Sequence, residues 1–516
     1  MHKKYLKHFT GRLILTAVSA VLQIAVSIAM LVKLSTFSFV ISGIFSVISI
    51  IAVIGIINTD RNPAYKLIWS IMILTFPIFG GLMYLAAMLQ SSTYLFKKKA
   101  AKAHALVEPY LLQDNSVTDE IRRDSRTTAA HASYLANKAA CPVYRNTDAV
   151  YFPTGEAKFE RLLYELKQAK KFIFIEYFII QEGLMWDSIL KVLIEKAKEG
   201  VDIRVIWDGM GSMATLPKNY DKVLEGLGIK VMIFNPFVPI ATVVQNNRDH
   251  RKIVVIDGHT AFTGGINLAD EYINAYDRYG HWKDAAIMIR GDAAKSFTLM
   301  FLSNWYMNNP TDQDITEFFY DFSSGELPKS FAHRGGYVQP YADTPLDGEC
   351  VSELVYFNLI NKAKDYIYIM TPYLIPDNEL LTALCFAAKS GIDVRIITPH
   401  IPDKWYVFQV TRSFYGKLMS SGVRIYEYTP GFVHSKTVVS DDHIAAVGSI
   451  NFDYRSLYLH LECAALIYDN PAVFDVKRDF LETLKVCEEV TPESYKKMRG
   501  RHGLVMSILR LFAPLL

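Results

Sequence analysis

Two copies of one short motif contain the residues best suited to chemistry in this chain. In each copy a histidine and a lysine are separated by one residue, an aspartate follows five residues after the lysine, and a glycine turn leads to an asparagine. The residues are His250, Lys252, Asp257 and Asn267 in the first copy and His434, Lys436, Asp441 and Asn451 in the second. Two complete copies inside a wider repeat predict one site assembled from two halves.

The stretches HRKIVVID and HSKTVVSD are rich in β-branched residues, which predicts strands on which histidine and lysine point to the same face. Imidazole acts as a nucleophile or proton carrier near neutral pH, lysine supplies positive charge, and the asparagine amide donates hydrogen bonds. A phosphodiester fits such a pocket, because its equatorial oxygens gain charge when a nucleophile attacks in line. This chemistry needs no serine or cysteine nucleophile.

The doubled motif and its surroundings resemble the phospholipase D superfamily and, within it, the bacterial cardiolipin synthases. Matching phrases include NNRDHRKIVVIDG, TGGINLADEY, GVRIYEYTPGFVHSK and VGSINFDYRS, and the resemblance runs from about Arg61 to the C-terminus. It implies transfer of a phosphatidyl group from one phosphatidylglycerol to another, giving cardiolipin and glycerol through a phosphatidyl-histidine intermediate. It also implies that no cofactor or metal takes part. The implied roles are nucleophile for His250, acid and base for His434, and phosphate binding for Lys252, Lys436, Asn267 and Asn451.

Two more acidic residues, Asp284 and Glu462, are candidates for the site. They occupy similar places after their motifs, in the apolar stretches HWKDAAIMI and LHLECAALI. Such a carboxylate either satisfies a buried donor unrelated to catalysis or accepts the Nδ1 proton of a motif histidine and so fixes its tautomer. The resemblance favours the second role. For Asp257 and Asp441 it implies a structural role within the motif, consistent with strand-end aspartates that make turn hydrogen bonds.

Two further positions bear on the same pocket. Glu176 lies in an apolar run, and because a buried carboxylate needs a partner, it is a candidate pocket residue. His460 stands where the related synthases usually have asparagine, so the local hydrogen bonding is expected to differ from theirs.

The wider repeat predicts the fold class. KAKEGVDIRVIWD around Gly200 recurs as AAKSGIDVRIITP around Gly391, and LGIKVMIFNP recurs as SGVRIYEYTP. Apolar strands alternate with helical segments such as 188–198, which predicts an α/β protein of two similar mixed-sheet halves packed together. We expect a membrane anchor over residues 1–95, a linker over 96–140, a first phospholipase D-like half over 141–330 and a second over 331–516.

The first ninety residues hold three apolar stretches, 13–32, 38–57 and 67–89, against the roughly 20 residues a helix needs to cross a bilayer. They predict a multi-pass protein of the cell membrane. The first stretch follows several basic residues, so a cleaved signal peptide is the alternative, although its apolar run is long for one. The resemblance favours a two-span anchor and a cytoplasmic catalytic part, but the basic residues flanking the spans divide almost evenly and leave the sidedness open.

Charge and composition limit the partners. The formal net charge is only +3, which argues against nucleic acid as a general partner, and the five scattered cysteines show neither zinc spacing nor a disulfide framework. Lys97 to Lys99 and Lys102 are expected to contact anionic lipid. The apolar loop 237–247 either packs in the core or contacts acyl chains, and the C-terminal run 505–512, with basic residues nearby, is expected to contact the membrane surface.

The sequence leaves several functional alternatives open. A phospholipase D hydrolase, or a phosphatidyltransferase with another acceptor, would use the same residues. A membrane-tethered nuclease is disfavoured by the apolar N-terminal stretches and by the absence of a strongly basic groove. A non-catalytic membrane scaffold is disfavoured by the intact histidine, lysine and asparagine of both copies. Neither the acceptor, the identity of the nucleophilic histidine nor the oligomeric state follows from the sequence.

Overall fold

A computed structural model describes residues 37–59, 62–76, 80–81, 84, 91–236, 246–309, 314–321 and 335–515. These residues belong to two compact units. The N-terminal unit comprises the described residues up to Phe96, Asn246 and residues 511–515. The main unit comprises the described residues of Lys97–Pro236 and Asn247–Arg510. The predicted contact loop at 237–247 lies outside the described residues except at its last two positions.

The N-terminal unit contains two helices that contact each other, α1 (Phe37–Ile57) and α2 (Pro63–Thr75). The side chain of Asn62 caps α2 by accepting a hydrogen bond from the Ala64 amide, and proline suits the first helical position, where its missing N–H is not needed. Among the described residues, no helix combines the length and the apolar character that crossing a membrane requires. The predicted spans at 38–57 and 67–89 are therefore not confirmed, and the predicted span at 13–32 lies outside the described residues.

The main unit is built around two mixed sheets, one in each half. The strands of the first half are β1 (Thr147–Phe152), β2 (Phe172–Tyr177), β3 (Asp202–Asp208), β4 (Lys230–Phe234), β5 (Lys252–Ile256), β6 (Thr260–Gly264), β7 (His281–Lys283) and β8 (Ala286–Gly291). All except β7 form a seven-stranded sheet in the order β1-β8-β6-β5-β2-β3-β4.

The second half repeats this plan. Its strands are β9 (Tyr337–Asp343), β10 (Tyr366–Met370), β11 (Asp393–Pro399), β12 (Arg424–Tyr428), β13 (Gly431–Val433), β14 (Thr437–Ser440), β15 (Ile444–Gly448), β16 (Glu462–Tyr468) and β17 (Cys487–Glu489). All except β13 form an eight-stranded sheet in the order β17-β12-β11-β10-β14-β15-β16-β9. Read from β9, this is the order of the first sheet with β17 added at the far edge. The predicted pair of similar mixed-sheet halves is confirmed.

Helices provide the crossovers and cover the sheets. They are α3 (Ser91–Val107), α4 (Asn115–Asp124), α5 (Arg126–Lys138), α6 (Gly155–Lys167), α7 (Leu184–Lys198), α8 (Tyr220–Gly226), α9 (Ala294–Asn308), α10 (Val351–Lys362), α11 (Asn378–Lys389), α12 (Trp405–Met419), α13 (Tyr454–Tyr458), α14 (Ala472–Leu484) and α15 (Pro492–Arg510). The parallel pairs β2–β3 and β3–β4 are joined through α7 and α8, as parallel strands require. The motif strand β5 runs antiparallel to β2 and is buried along its length.

The segment predicted as a linker differs from that expectation. It folds into helices, and α5 buries His131 and Leu135. The Gln339 side chain on β9 donates hydrogen bonds to the carbonyls of Ala132, at 3.0 Å, and Cys141, at 2.7 Å. Because a buried amide of the second sheet is satisfied by this segment, α5 is an integral part of the main unit rather than a tether.

The two halves meet at the strands beside the motif histidines. Strand β7 of the first half pairs in parallel with β13 of the second, aligning Trp282 with Phe432. A matching isolated bridge joins Asp249 of the first half to Leu461 of the second. Asp249 directly precedes His250, and Val433, which aligns with Lys283 in the β7–β13 pair, directly precedes His434. Both motif histidines therefore lie at this junction.

Candidate active site

The backbone of each motif histidine is held by the opposite half. The His250 amide donates to the carbonyl of Leu461 at 2.9 Å, and the His434 amide donates to the carbonyl of Lys283 at 2.6 Å. Leu461 and Lys283 each directly precede one of the acidic candidates, Glu462 or Asp284. The two junctions therefore set each histidine beside a carboxylate from the other half.

The side chains complete these crossed pairs. His250 Nδ1 lies 2.8 Å from Glu462 Oε1, and His434 Nδ1 lies 2.7 Å from Asp284 Oδ2. Both carboxylates are fully buried. A carboxylate at this distance accepts the Nδ1 proton, which fixes the tautomer and leaves Nε2 for the substrate. In the part of the chain that the structure describes, neither histidine Nε2 takes part in a hydrogen bond.

The two carboxylates are supported differently. The Ser449 hydroxyl donates to Glu462 Oε2. In the first copy of the motif Gly265 stands at the equivalent place, and a Cβ there would come within 2.1 Å of Asp284 Oδ1. Asp284 instead accepts a hydrogen bond from the Ala285 amide at 2.8 Å. The glycine-or-serine position of the motif thus faces the carboxylate in both halves.

The motif lysines are buried beside their histidines. Lys252 Nζ donates to the His250 carbonyl at 2.5 Å, and Lys436 Nζ donates to the His434 carbonyl and lies 2.8 Å from His434 Nδ1. Burial lowers the pKa of Lys252 to about 8 and that of Lys436 to about 7. Removing the ammonium groups from water disfavours their charge, and an anionic ligand would restore it.

Burial and the nearby lysines also lower the pKa of both His250 and His434 well below the ordinary histidine value. The cations that lower the His250 pKa include Lys252 of its own half and Lys436 of the other. Burial raises the pKa of Asp284 to about 6, despite the opposing effect of Lys436. The charged groups of the two motif copies therefore act on one another electrostatically.

The side chains of the two motif asparagines are oriented by hydroxyl groups. Asn267 Nδ2 donates to the Tyr272 hydroxyl at 2.7 Å while its Oδ1 accepts from the Ile179 amide at 3.2 Å. Asn451 Nδ2 donates to the Ser456 hydroxyl at 3.1 Å. Each NH₂ group has a second hydrogen, so these contacts leave one donor for a ligand.

The motif aspartates are structural, as the sequence indicated, and do not reach the chemistry. Asp257 adopts a left-handed conformation at the end of β5, and its carboxylate accepts hydrogen bonds from the amides of residues 170–172. Asp441 does the same after β14, with the amides of residues 364–366. Both tie the end of the motif strand to the start of a neighbouring strand, at the opposite end from the histidine.

Glu176 does not line the pocket that the sequence suggested. It faces the opposite side of the sheet, where its Oε1 lies 2.7 Å from the Arg251 guanidinium and accepts a hydrogen bond from Asn304. On the motif face its neighbour Tyr177 lies beside Lys252 in the strand register. Strand alternation places adjacent residues on opposite faces, so Arg251 and Glu176 form a buried pair beneath the site.

Aromatic rings surround both histidines, and the motif gave no sign of them. The Phe178 ring lies 5.2 Å from the His250 ring, and the rings of Tyr272 and Trp282 lie 5.4 and 5.5 Å from that of His434, all between centroids. These contacts join residues far apart in sequence, which explains why the motif spacing could not predict them. They limit the access of water to the imidazoles.

His460 adds a third imidazole to the site. Its ring centroid lies 5.5 Å from that of His250, its Nδ1 lies 3.8 Å from Glu462 Oε1, and its Nε2 accepts from Arg455 at 3.2 Å. Burial lowers its pKa to about 3, so the ring is neutral. Among the described residues, His250, His460 and Glu462 offer ligand atoms within 4.8 Å of one another, as do Glu353, Asp377 and Glu379. These sets could hold a metal ion.

Comparisons with known proteins agree with this architecture. The family described as "Cardiolipin synthase, PLD-like domain" matches residues 162–296 and 356–484, one stretch in each half, and "Phospholipase_D-nuclease N-terminal" matches residues 47–87. The crystal structure of phosphatidylserine synthase from Haemophilus influenzae has the same fold, with a TM-score of 0.55 at 16% identity, over 76% of this chain and 100% of that one. Fold and site together define a two-halved phospholipase D-like protein.

Full-length relatives narrow this further. A cardiolipin synthase of Alkalihalophilus pseudofirmus is 34% identical over 92% of this chain and 94% of its own length. Cardiolipin synthase 2 of Bacillus anthracis is 35% identical over 89% of this chain and 88% of its own length. An uncharacterized protein of Streptococcus mutans is 44% identical over 90% of this chain and 99% of its own. The chain belongs to the cardiolipin synthase family of phospholipase D-like proteins.

Proposed function

We propose that this protein is a phosphatidyltransferase that makes cardiolipin and glycerol from two molecules of phosphatidylglycerol. The observation that carries the proposal is the pair of crossed contacts, His250 with Glu462 and His434 with Asp284. They give one site two imidazoles with oriented Nε2 atoms, as a reaction with one covalent and one proton-transferring histidine needs. The cardiolipin synthases among its full-length relatives support the choice of substrate.

In the proposed first step, His250 Nε2 forms a bond to the phosphorus of phosphatidylglycerol while the bond from phosphorus to the glycerol oxygen breaks. A proton passes from His434 Nε2 to that oxygen, and glycerol leaves. In the second step His434 takes the proton of a hydroxyl on another phosphatidylglycerol, whose oxygen attacks phosphorus and breaks the bond to His250. The phosphodiester anion raises the pKa of His434 from the low value that burial imposes, so that it can carry the proton.

Lys252, Lys436, Asn267 and Asn451 are proposed to hold the phosphate oxygens during both steps. The phosphodiester anion favours the charged form of both lysines. Each asparagine has one amide hydrogen left to donate to a phosphate oxygen. In this proposal the lysines supply the positive charge, and the reaction needs no metal or other cofactor. The aromatic rings beside the histidines support transfer over hydrolysis, since they limit the water that could attack the intermediate.

We also propose that the N-terminal segment anchors the protein in the cell membrane as a multi-pass protein. Apolar side chains on its helices are exposed, among them Val47 at 56%, Ile51 at 64% and Leu67 at 60%. Such surfaces mark contact with membrane or protein. Extraction of cell membranes with alkaline carbonate should leave the full chain in the pellet. Its release into the supernatant would contradict the anchor without affecting the proposed chemistry.

The test of the activity uses the full chain, purified in detergent, with phosphatidylglycerol as the sole lipid and EDTA present. Mass spectrometry should detect cardiolipin and glycerol in equal amounts, at a rate within about twofold of that without EDTA, because lysines supply the charge that a metal would. Phosphatidic acid as the main product would identify a hydrolase. Loss of activity that one added divalent ion restores would contradict the metal-free mechanism.

A further inference from the structure

A surface cavity of about 210 Å³ lies between α12 and α15, within the main unit. The two helices approach closely beside the cavity, since a Cβ on Gly416 would come within 2.7 Å of the Tyr495 ring. None of the residues that line the cavity belongs to the His250 and His434 site. The cavity is therefore a separate feature of the fold that the proposed reaction does not use.

The lining of this cavity favours an anion. Lys417, Arg499 and Arg510 line it together with the hydroxyl-bearing residues Ser413 and Ser507, and no lining residue is acidic. Arg510 is fixed in the wall, because it donates to the Ser413 carbonyl at 3.1 Å and its guanidinium lies 4.2 Å from the centre of the Phe414 ring. Across the described ranges, the side chains of Lys417 and Arg499 make no hydrogen bond or ion pair with another residue. Three cations around one small cavity match a phosphate group.

The neighbouring surface of α15 favours a lipid over a soluble anion. The cavity adjoins a depression lined by Lys496, Arg499 and Gly500. Leu504 and Ile508 follow Gly500 at four-residue intervals, so they continue the same stripe of the helix. Their side chains are 75% and 48% exposed. A basic cavity that opens beside exposed apolar side chains is typical of a helix lying at a membrane surface.

We propose that the cavity between α12 and α15 binds the phosphate of an anionic phospholipid, while Leu504 and Ile508 enter the membrane beside it. This second lipid site holds the main unit against the bilayer independently of catalysis. Phosphatidylglycerol, as a phospholipid with one negative charge, is a suitable probe, and phosphatidylcholine provides the zwitterionic comparison.

The experiment measures lipid retained by the full chain in detergent, by native mass spectrometry, with His250→Ala present throughout to prevent turnover. Lys417→Glu with Arg499→Glu should lower phosphatidylglycerol retention by about tenfold or more, since each basic residue near an anionic lipid contributes about fivefold and reversal adds repulsion. The matched control is Lys497→Glu with Arg501→Glu, which reverses the same number of charges on α15 outside the cavity and should alter retention by less than about twofold. Phosphatidylcholine should be retained weakly by every variant.

A second measurement keeps the test independent of folding. With His250 restored, the double variant should turn over a short-chain, micellar phosphatidylglycerol at the wild-type rate while its KM for vesicle-bound phosphatidylglycerol rises. Equal retention by the two charge-reversed proteins would overturn the proposal. Displacement of the lipid by equimolar inorganic phosphate would also overturn it, because the site would then be one for a soluble anion. Loss of the micellar activity together with retention would mean that the substitutions disturb the fold, and the lipid site would be rejected.

Discussion

The two halves of the active site use the same contact with different supports. On one side His250 meets Glu462, which also accepts the Ser449 hydroxyl and lies near His460. On the other side His434 meets Asp284, which packs against Gly265 and accepts a hydrogen bond from the backbone amide of Ala285. The longer glutamate is held by side chains, and the shorter aspartate is held by the main chain. The halves therefore preserve the geometry of the imidazole, while the surroundings that set its proton affinity differ.

The sheets show a similar relation at larger scale. Their strand orders coincide apart from β17, and yet the buried pair of Arg251 and Glu176 belongs to the first half, without a counterpart at the equivalent motif position among the described residues of the second. In the second copy of the motif, serine stands at position 435 where the first has arginine. The shared order follows from the repeated pattern of apolar strands and crossover helices in the sequence. These unequal residues beneath the site are consistent with the separate roles proposed for the two histidines.

Removal of either motif histidine should have the largest effect. His250→Ala and His434→Ala should each lower the rate of cardiolipin formation by about 10⁴-fold or more, because neither imidazole can replace the other within one catalytic cycle. The two variants should differ with a substrate whose leaving group needs no proton. His434→Ala should then accumulate phosphatidyl-enzyme on His250, detected by peptide mass spectrometry, and His250→Ala should not.

The matched control for both variants is His443→Ala, which breaks another histidine–carboxylate pair, with Asp469, outside the site. It should retain near wild-type activity. An adduct mapped to His434 would reverse the two roles while preserving the two-step reaction. Substantial turnover by either folded alanine variant would refute the shared site.

Neutralising the carboxylates should have the next largest effect. Glu462→Gln and Asp284→Asn keep the size of each side chain but remove the negative charge that orients and stabilises the imidazole, so kcat should fall by about 10²–10⁴-fold with little change in KM. Steady-state kinetics of both variants checks this. If one variant alone is impaired, only one histidine depends on its carboxylate. If KM rises and kcat is unchanged, these residues bind substrate rather than orient histidine.

The hydrogen bond from Ser449 to Glu462 can be tested separately. Ser449→Ala removes a hydroxyl that donates to this buried carboxylate, and kcat should fall by about tenfold, the value of one hydrogen bond to a charged group. The melting temperature of the variant serves as the control for folding. Ser449→Gly, which copies the first half, should behave in the same way, because Glu462 has no backbone donor corresponding to the Ala285 amide among the described residues. Unchanged kcat in both variants would show that the supports are interchangeable.

The lysines should set the alkaline limb of the pH profile. Lys436, with its pKa lowered to about 7, loses its charge first as the pH rises, and Lys252 follows at about 8. Since kcat/KM reports the free enzyme, it should decline by about tenfold per pH unit above the Lys436 pKa. Lys436→Arg remains charged throughout this range, so its decline should begin about one pH unit higher, at the Lys252 pKa. An identical alkaline limb in both proteins would remove Lys436 from phosphate binding.

Much of this architecture could be predicted from the sequence, because the information is local and repeated. The strand around Lys252 and the crossover helix at α7 follow from periodicity, although α7 begins at Leu184 rather than at residue 188. Asp284 and Glu462 could be named because their apolar surroundings recur at similar offsets. The halves' exchange of carboxylates could not be predicted, since His250 and Glu462 are 212 residues apart and no local pattern encodes the contact. The packing of α5 against β9 could not be predicted either, because it also joins residues far apart in the sequence.

The smallest effect is expected at His460, which is present in only one half of the site. Arg455 donates a hydrogen bond to Nε2 of His460. Burial lowers the pKa of His460 to about 3, which keeps its ring uncharged through the pH range in which the enzyme would work. His460→Asn replaces one neutral polar group near His250 with another, so kcat should change by less than about threefold and the pH profile should keep its shape. His460→Asp, which places a negative charge beside Glu462, is the contrasting variant and should raise the apparent pKa of His250 toward neutrality by stabilising its cation. A large loss in His460→Asn with an altered acid limb would show that His460 itself carries a proton, and the site would then contain three working histidines rather than two.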